Sequence, residues 1–112
     1  VDTRKSVSGS SPNFTHSLDA SALTLTVGKC VREGLTDFAM IHDSYGTHSP
    51  NMHLLNEKLR EAFVEMYRDN DVLHDLYEYA RASLKEGAEI PMPPARGDLV
   101  IEEVLESKYF FA

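Results

Sequence analysis

Apolar residues recur along the chain in three patterns, each predicting a different kind of element. Phe14, Leu18, Ala22 and Leu25, flanked by Leu23, Val27 and Cys30, fall on adjoining rows of a 3.6-residue period. They predict a helix over 16–34, with Asp19 in its first turn and Gly34 as its stop. Residues 38–41 form a continuous apolar run too short for a helix, so 37–41 reads as a buried strand. Asp43-Ser44-Tyr45-Gly46 is turn chemistry, and a second strand over 45–47 closes a hairpin within 37–48 that carries Asp43 at its tip. Ser49-Pro50 is a helix start, Ser as cap and Pro at the first position. The longest helix then runs over about 50–69 on the stripe Leu55, Leu59, Ala62, Phe63 and Met66. Glu57, Glu61 and Glu65 fall on its other face, read as solvated.

Asn70-Asp71 restarts a helix with Leu73, Tyr77, Ala80 and Leu84 in register, ending near Gly87, so that helices occupy 49–87. At the two ends the periodicity disappears. Residues 1–13 are polar, rich in Ser and Gly, and Pro12 biases Ser11 towards extended geometry, so 1–15 reads as an entry loop or the end of an incoming element. Residues 88–97, with three prolines in Pro91-Met92-Pro93-Pro94, read as an extended surface connector. Asp98 then caps a short helix through Leu105 that delivers Lys108-Tyr109-Phe110-Phe111-Ala112, whose three consecutive aromatics predict a docking tail. The whole predicts an α+β, mostly helical chain packed around a short β-hairpin.

Composition narrows the function. At 112 residues the chain is one domain at most, and its start at Val1 suggests a piece of a longer protein whose edges need a partner. Cys30 is the single cysteine, which excludes an internal disulfide and fits a reducing compartment. No apolar run approaches the roughly 18 residues of a membrane span, and the first residues lack a signal core, so the chain reads as soluble and untargeted. Five histidines and one cysteine show no zinc-ligand spacing, and Asn13-Phe14-Thr15 matches a glycosylation pattern by chance. The net charge of −7 argues against a free-standing nucleic-acid binder. The excess lies in the second half: 1–48 carries four basic against five acidic residues, and 49–112 seven against thirteen.

The hairpin carries the candidate chemistry. A carboxylate at its tip stays ionised and accessible and can reach a divalent metal through hard oxygen ligands; Asp at a turn equally serves its own backbone hydrogen bonds. His16, at the mouth of the first helix, can face a groove or act as a cap. These residues leave three function classes open. One is a metal-dependent catalytic site at Asp43. A second is a non-catalytic acidic helical interaction module that docks a partner through its aromatic C-terminus. The third is a small metal-dependent phosphohydrolase, disfavoured because only one carboxylate stands at a turn.

Four blocks decide among them. Pro12-Asn13-Phe14-Thr15-His16-Ser17-Leu18-Asp19-Ala20-Ser21, Ile41-His42-Asp43-Ser44-Tyr45-Gly46-Thr47, Arg60-Glu61-Ala62-Phe63-Val64, and Gly97-Asp98-Leu99 with the Phe111-Ala112 ending occur in this order. They resemble the C-terminal segment of single-subunit DNA-directed RNA polymerases, the bacteriophage-type enzymes with mitochondrial and chloroplast relatives. The resemblance covers essentially the whole chain. Family A DNA polymerases share the palm and its His-Asp pair but typically place Glu next, where this chain has Ser44. Thr15 and Ser10 stand where the family usually has apolar residues, and Gly46 is phage-like where organellar relatives often carry Trp.

The resemblance implies a palm and fingers-side segment of a right-hand polymerase, over 1–112, acting in transcription as a nucleotidyltransferase. Asp43 is then the palm aspartate that binds two Mg2+ ions together with an aspartate outside this chain, with His42 beside it as a positioning residue. His16 contacts the minor groove of the template–product duplex, and Phe111 and Ala112 form a C-terminal foot beneath the active site. The implied partners are the N-terminal remainder of the polymerase, without which the segment is inactive, a DNA template, the RNA product and ribonucleoside triphosphates, with no membrane. The implied setting is the cytoplasm of an infected bacterium, an organelle being the alternative.

Overall fold

The computed structural model describes residues 2–85 and 87–110, and divides at Phe63 and Val64 into two compact units. The first unit opens with one long helix, α1 (Thr3–Arg32), where a loop is expected over 1–15. Two features of the local chemistry account for the difference. Asp2 caps the helix, its carboxylate accepting from the backbone N–H groups of Arg4 at 3.1 Å and Lys5 at 3.2 Å. The Ser and Thr hydroxyls, read as loop formers, bond back along the helix instead: Ser6 to the Asp2 carbonyl, Ser10 to Ser6 and Thr15 to Ser11. Pro12 lies inside the helix, at the cost of one ladder bond. The buried positions of α1, Ala22, Thr26 and Cys30, follow a spacing of four, and the Thr26 hydroxyl is satisfied by the Ala22 carbonyl at 2.7 Å.

After Gly34, whose φ of +86° suits only glycine well, comes a two-stranded antiparallel sheet of β1 (Ala39–Ile41) and β2 (Ser44–Gly46). The register pairs Ala39 with Gly46, Met40 with Tyr45 and Ile41 with Ser44. The loop is therefore His42-Asp43, two residues earlier and tighter than the Asp43–Gly46 turn predicted from residue types. Burial explains the shift. Met40 and Tyr45, a cross-strand pair on one face, pack with Phe38 and Leu54 against the buried cluster Cys30, Leu35 and Leu55. Tyr45 gains more from that contact than from a turn position. Only this face is covered, so Ile41 stays 68% exposed, in contrast to the fully buried strand expected. Gly46 lies close to its partner, and a Cβ there would stand 3.2 Å from the Ala39 carbonyl oxygen. Thr47 closes the base of the hairpin by donating to the Asp37 carbonyl at 2.7 Å.

A 3-10 turn over Ser49–Asn51, with Pro50 in its first positions, leads into α2 (Met52–Asp69); Ser49 lies inside the turn and His48, without a side-chain bond, takes the cap expected of Ser49. Leu55, Leu59, Ala62 and Met66 of the predicted stripe are buried, and Phe63 is half-buried. The acidic face is less solvated than expected. Glu61 is partly covered and accepts from Lys58 at 2.9 Å, while Lys29 of α1 lies 3.9 Å away, so a charge network joins the two helices. Glu61 and Glu57 together hold the Lys58 ammonium above its usual range. Arg60 is buried with its Nε donating to Asn56 at 2.9 Å.

In the second unit, Asp71 caps α3 (Val72–Ala82), accepting from the His74 N–H at 3.2 Å. The connector is held at this cap, since Arg96 donates to the Asn70 carbonyl at 3.0 Å and pairs with Asp71 at 3.4 Å. The last helix, α4, is only Glu103–Glu106 and is not capped by Asp98. Bonds from Glu103 to Val100, Val104 to Ile101 and Leu105 to Glu102 make its approach a tight turn rather than a helix. Tyr109 is 89% exposed, whereas Phe110 is half-buried; Phe111 and Ala112 lie outside the described residues. Among the described residues no helix is long and apolar enough to cross a membrane.

Candidate functional site

The helix and the hairpin of the first unit meet at an open pocket of about 620 Å³ lined by His16, Asp19, Ala20, Leu23, His42 and Asp43. The spacing of the four α1 residues is that of one helix face, since positions i, i+3, i+4 and i+7 lie one above another. A helical 3.6-residue period therefore presents two polar and two apolar side chains to the same cavity. The other wall is the hairpin loop, which has only two residues and turns both towards the pocket.

Such a loop asks for positive φ at its first position, where glycine is usual. His42 takes it instead, at φ +56°, the one non-glycine residue with positive φ among those described. Histidine tolerates this conformation better than most side chains, but still at a cost. The strained residue thus carries one of the pocket's two imidazoles and stands next to its hairpin carboxylate. Beneath them Tyr45 is half-buried, and burial first, then the Asp19 and Asp43 carboxylates, push its phenol above the ordinary value near 10.0. Both carboxylates therefore act on the same spot from opposite walls.

Three of the residues singled out in the sequence, His16, His42 and Asp43, are brought together here across a span of 27 positions. Phe111 and Ala112 lie outside the described residues. Asp19 was read only as a first-turn helix residue, and the structure adds it to the pocket. The signal that could have found it is the i, i+3 spacing from His16.

Asp43 is exposed and offers hard oxygen donors, which fits a share in binding a divalent ion. Among the described residues no group of three or more His, Cys, Asp or Glu side chains is disposed to hold a metal ion. The donors present suit one part of a shared site and not a complete one.

Comparison with known proteins decides the family. A model of the DNA-dependent RNA polymerase family matches residues 1–90. The chain belongs to the phage-type DNA-dependent RNA polymerase family. Among relatives, it is 46% identical over 100 residues to DNA-directed RNA polymerase 1A of Nicotiana tabacum, covering 89% of this chain and 63% of that protein. It is 41% identical over 115 residues to the DNA-directed RNA polymerase of Enterobacteria phage K11, covering all of this chain but 13% of the phage protein. With the mitochondrial polymerase 1 of Arabidopsis thaliana the identity is also 41%, over 99% of this chain and 11% of the relative. The chain thus spans less than two thirds of these relatives, and for most about a tenth. They include phage and organellar polymerases at comparable identity.

Proposed function

We propose that the chain forms the C-terminal part of the catalytic domain of a DNA-directed RNA polymerase and contributes Asp43 to template-dependent nucleotidyl transfer. The observation that carries this reading is the pocket that joins His16 of α1 to His42 and Asp43 of the hairpin loop. Two magnesium ions, when bound, would activate the 3′-hydroxyl and stabilise the departing pyrophosphate. Asp43 would hold them jointly with an aspartate outside this chain, since among the described residues no group of three or more His, Cys, Asp or Glu side chains could hold a metal ion. His42 fixes the loop conformation that aims Asp43. His16, on the facing wall, suits a duplex whose minor groove is read by shape and pairing. The near-neutral charge of residues 1–48 lets this half approach nucleic acid despite the chain's overall −7.

The partners in this reading are the N-terminal remainder of the polymerase, the DNA template, the RNA product and ribonucleoside triphosphates. Phe111 and Ala112 would form the foot below the site. The setting is the cytoplasm of an infected bacterium or an organelle, as for the relatives' lineages.

The test is run-off transcription by the chain assembled with the remainder of the polymerase. The assembly should synthesise RNA, each piece alone should not, and Asp43→Asn should lower the rate by several orders of magnitude, since it removes one charge from a site worth several kcal/mol. Activity of the chain by itself, or Asp43→Asn within about tenfold of the parent, would refute the proposal.

A further inference from the structure

The pocket wall formed by α1 holds a carboxylate that the reading above leaves without a task. Asp19 lies one helical turn beyond His16, is exposed, and accepts no hydrogen bond from another described residue. Its position is set by a rigid helix, not by a loop. An ionised carboxylate only accepts hydrogen bonds, so whatever it meets in this pocket must donate one.

A template–product duplex offers few such donors. Phosphates are anionic and repel a carboxylate. In the minor groove the base edges present acceptors, with the guanine amino group as the one exception. The ribose 2′-hydroxyl is both donor and acceptor, lines the wide minor groove of RNA-containing helices, and is missing from DNA. A carboxylate placed beside a minor-groove histidine is therefore matched to a ribose. The second carboxylate, Asp43, stands on the hairpin wall of the same pocket.

We propose that Asp19 accepts a hydrogen bond from a ribose 2′-hydroxyl at the 3′ end of the product strand, and so favours an RNA over a DNA terminus in this pocket. The inference rests on the polymerase reading and takes its substrate class one step further. Asp19 is then a specificity-determining residue.

The experiment uses the assembled polymerase and two primers of one sequence on one template, differing only in the terminal 2′ group. For parent, Asp19→Ala and Asp19→Asn, the ratio of kcat/KM on the RNA-ended to the DNA-ended primer is measured. Asp19→Ala should lower that ratio about tenfold, the size expected for a charge-assisted hydrogen bond. Asp19→Asn keeps one acceptor oxygen without the charge and should lower it about threefold. Because both primers meet the same preparation, any loss of folded protein cancels from the ratio. An unchanged ratio in Asp19→Ala overturns the inference. So does a loss that follows replacement of a terminal guanosine by inosine rather than removal of the 2′-hydroxyl, which assigns Asp19 to the guanine amino group. A parent assembly that extends neither primer refutes the polymerase reading itself, which separates the two failures.

Discussion

His42→Gly should stabilise the hairpin while it damages the reaction, and this opposite movement distinguishes a functional loop from a merely structural one. The wild-type residue is held at φ +56° by a register that leaves only His42 and Asp43 between paired Ile41 and Ser44. An L residue in this region gives up about 1–2 kcal/mol, less for residues that tolerate it. Glycine removes that cost but brings back about 0.5–1 kcal/mol of backbone entropy. The imidazole is exposed, so its removal sacrifices little packing. The net expectation is a change between zero and about 1.5 kcal/mol in favour of the variant, the difference of those two costs. Chemical denaturation of parent and variant would measure it, and run-off transcription by the assembled polymerase would report the reaction, with an expected loss of about tenfold or more from a misaimed Asp43. A variant destabilised by more than about 1 kcal/mol, with activity falling in parallel, would mean that His42 is there for packing. Unchanged transcription would remove it from the site altogether.

His16→Ala should slow extension of matched 3′ ends about 5- to 150-fold, the range set by one unmet hydrogen bond, and blur discrimination against mismatched ends more than it weakens DNA binding; equal rates on matched and mismatched ends in mutant and parent would reject a minor-groove role. Cys30 is buried, and burial pushes its thiol above the ordinary value near 9.0, with Lys58 opposing and Glu61 adding to the shift. A thiol reagent at pH 8 should therefore label the native chain no faster than it unfolds, and rapid stoichiometric labelling would contradict the packing. The same shift fixes the sign of a pH dependence: the stability it contributes is fully present below the unfolded thiol's pKa and is lost as the pH rises towards the higher folded value. Deleting Phe111 and Ala112 should cut the catalytic rate sharply while melting temperature and DNA affinity change little, and a shortened enzyme of full rate would show that the tail has no part in the site.

Legibility in the sequence followed how local the determining physics is. The stripe of α2 was readable because Leu55, Leu59, Ala62 and Met66 repeat with the helix and are buried for that reason. The helix restart at Asn70-Asp71 was readable because a cap is chemistry between near neighbours, and Pro50 marked the start of the 3-10 turn, but the cap there is His48 without a side-chain bond and not Ser49. The first half of α1 was not, since Ser and Thr hydroxyls satisfy a loop or a helix equally well, and the Asp2 cap at its start favours the helix. The hairpin shifted for a tertiary reason: Asp43-Ser44-Tyr45-Gly46 has turn composition, but Tyr45 is drawn into the cluster at Leu35 and Leu55. At the site, residue types and resemblance pointed to His16, His42 and Asp43. Asp19 went unrecognised because its significance lies in which face of a helix meets the hairpin, and only packing sets that.

The hairpin that bears Asp43 is too small to hold its own shape. Three-residue strands in an isolated pair are marginal in water, and only one face of this pair is covered. What fixes it is the contact of Met40 and Tyr45 with Cys30 of α1, Leu35, and Leu54 and Leu55 of α2, so the hairpin wall of the pocket rests on one small cluster. Displacement of a reacting group by about 1 Å can cost a factor of about 100 in rate. In the proposed site, precision at Asp43 would thus depend on the apolar residues that pack the hairpin. The strain at His42 is sustained by the same contacts, because a loop held by a firmly packed register can keep a conformation that a looser one would relax. The pocket's geometry and its one strained backbone position have a common origin in the buried face of the hairpin.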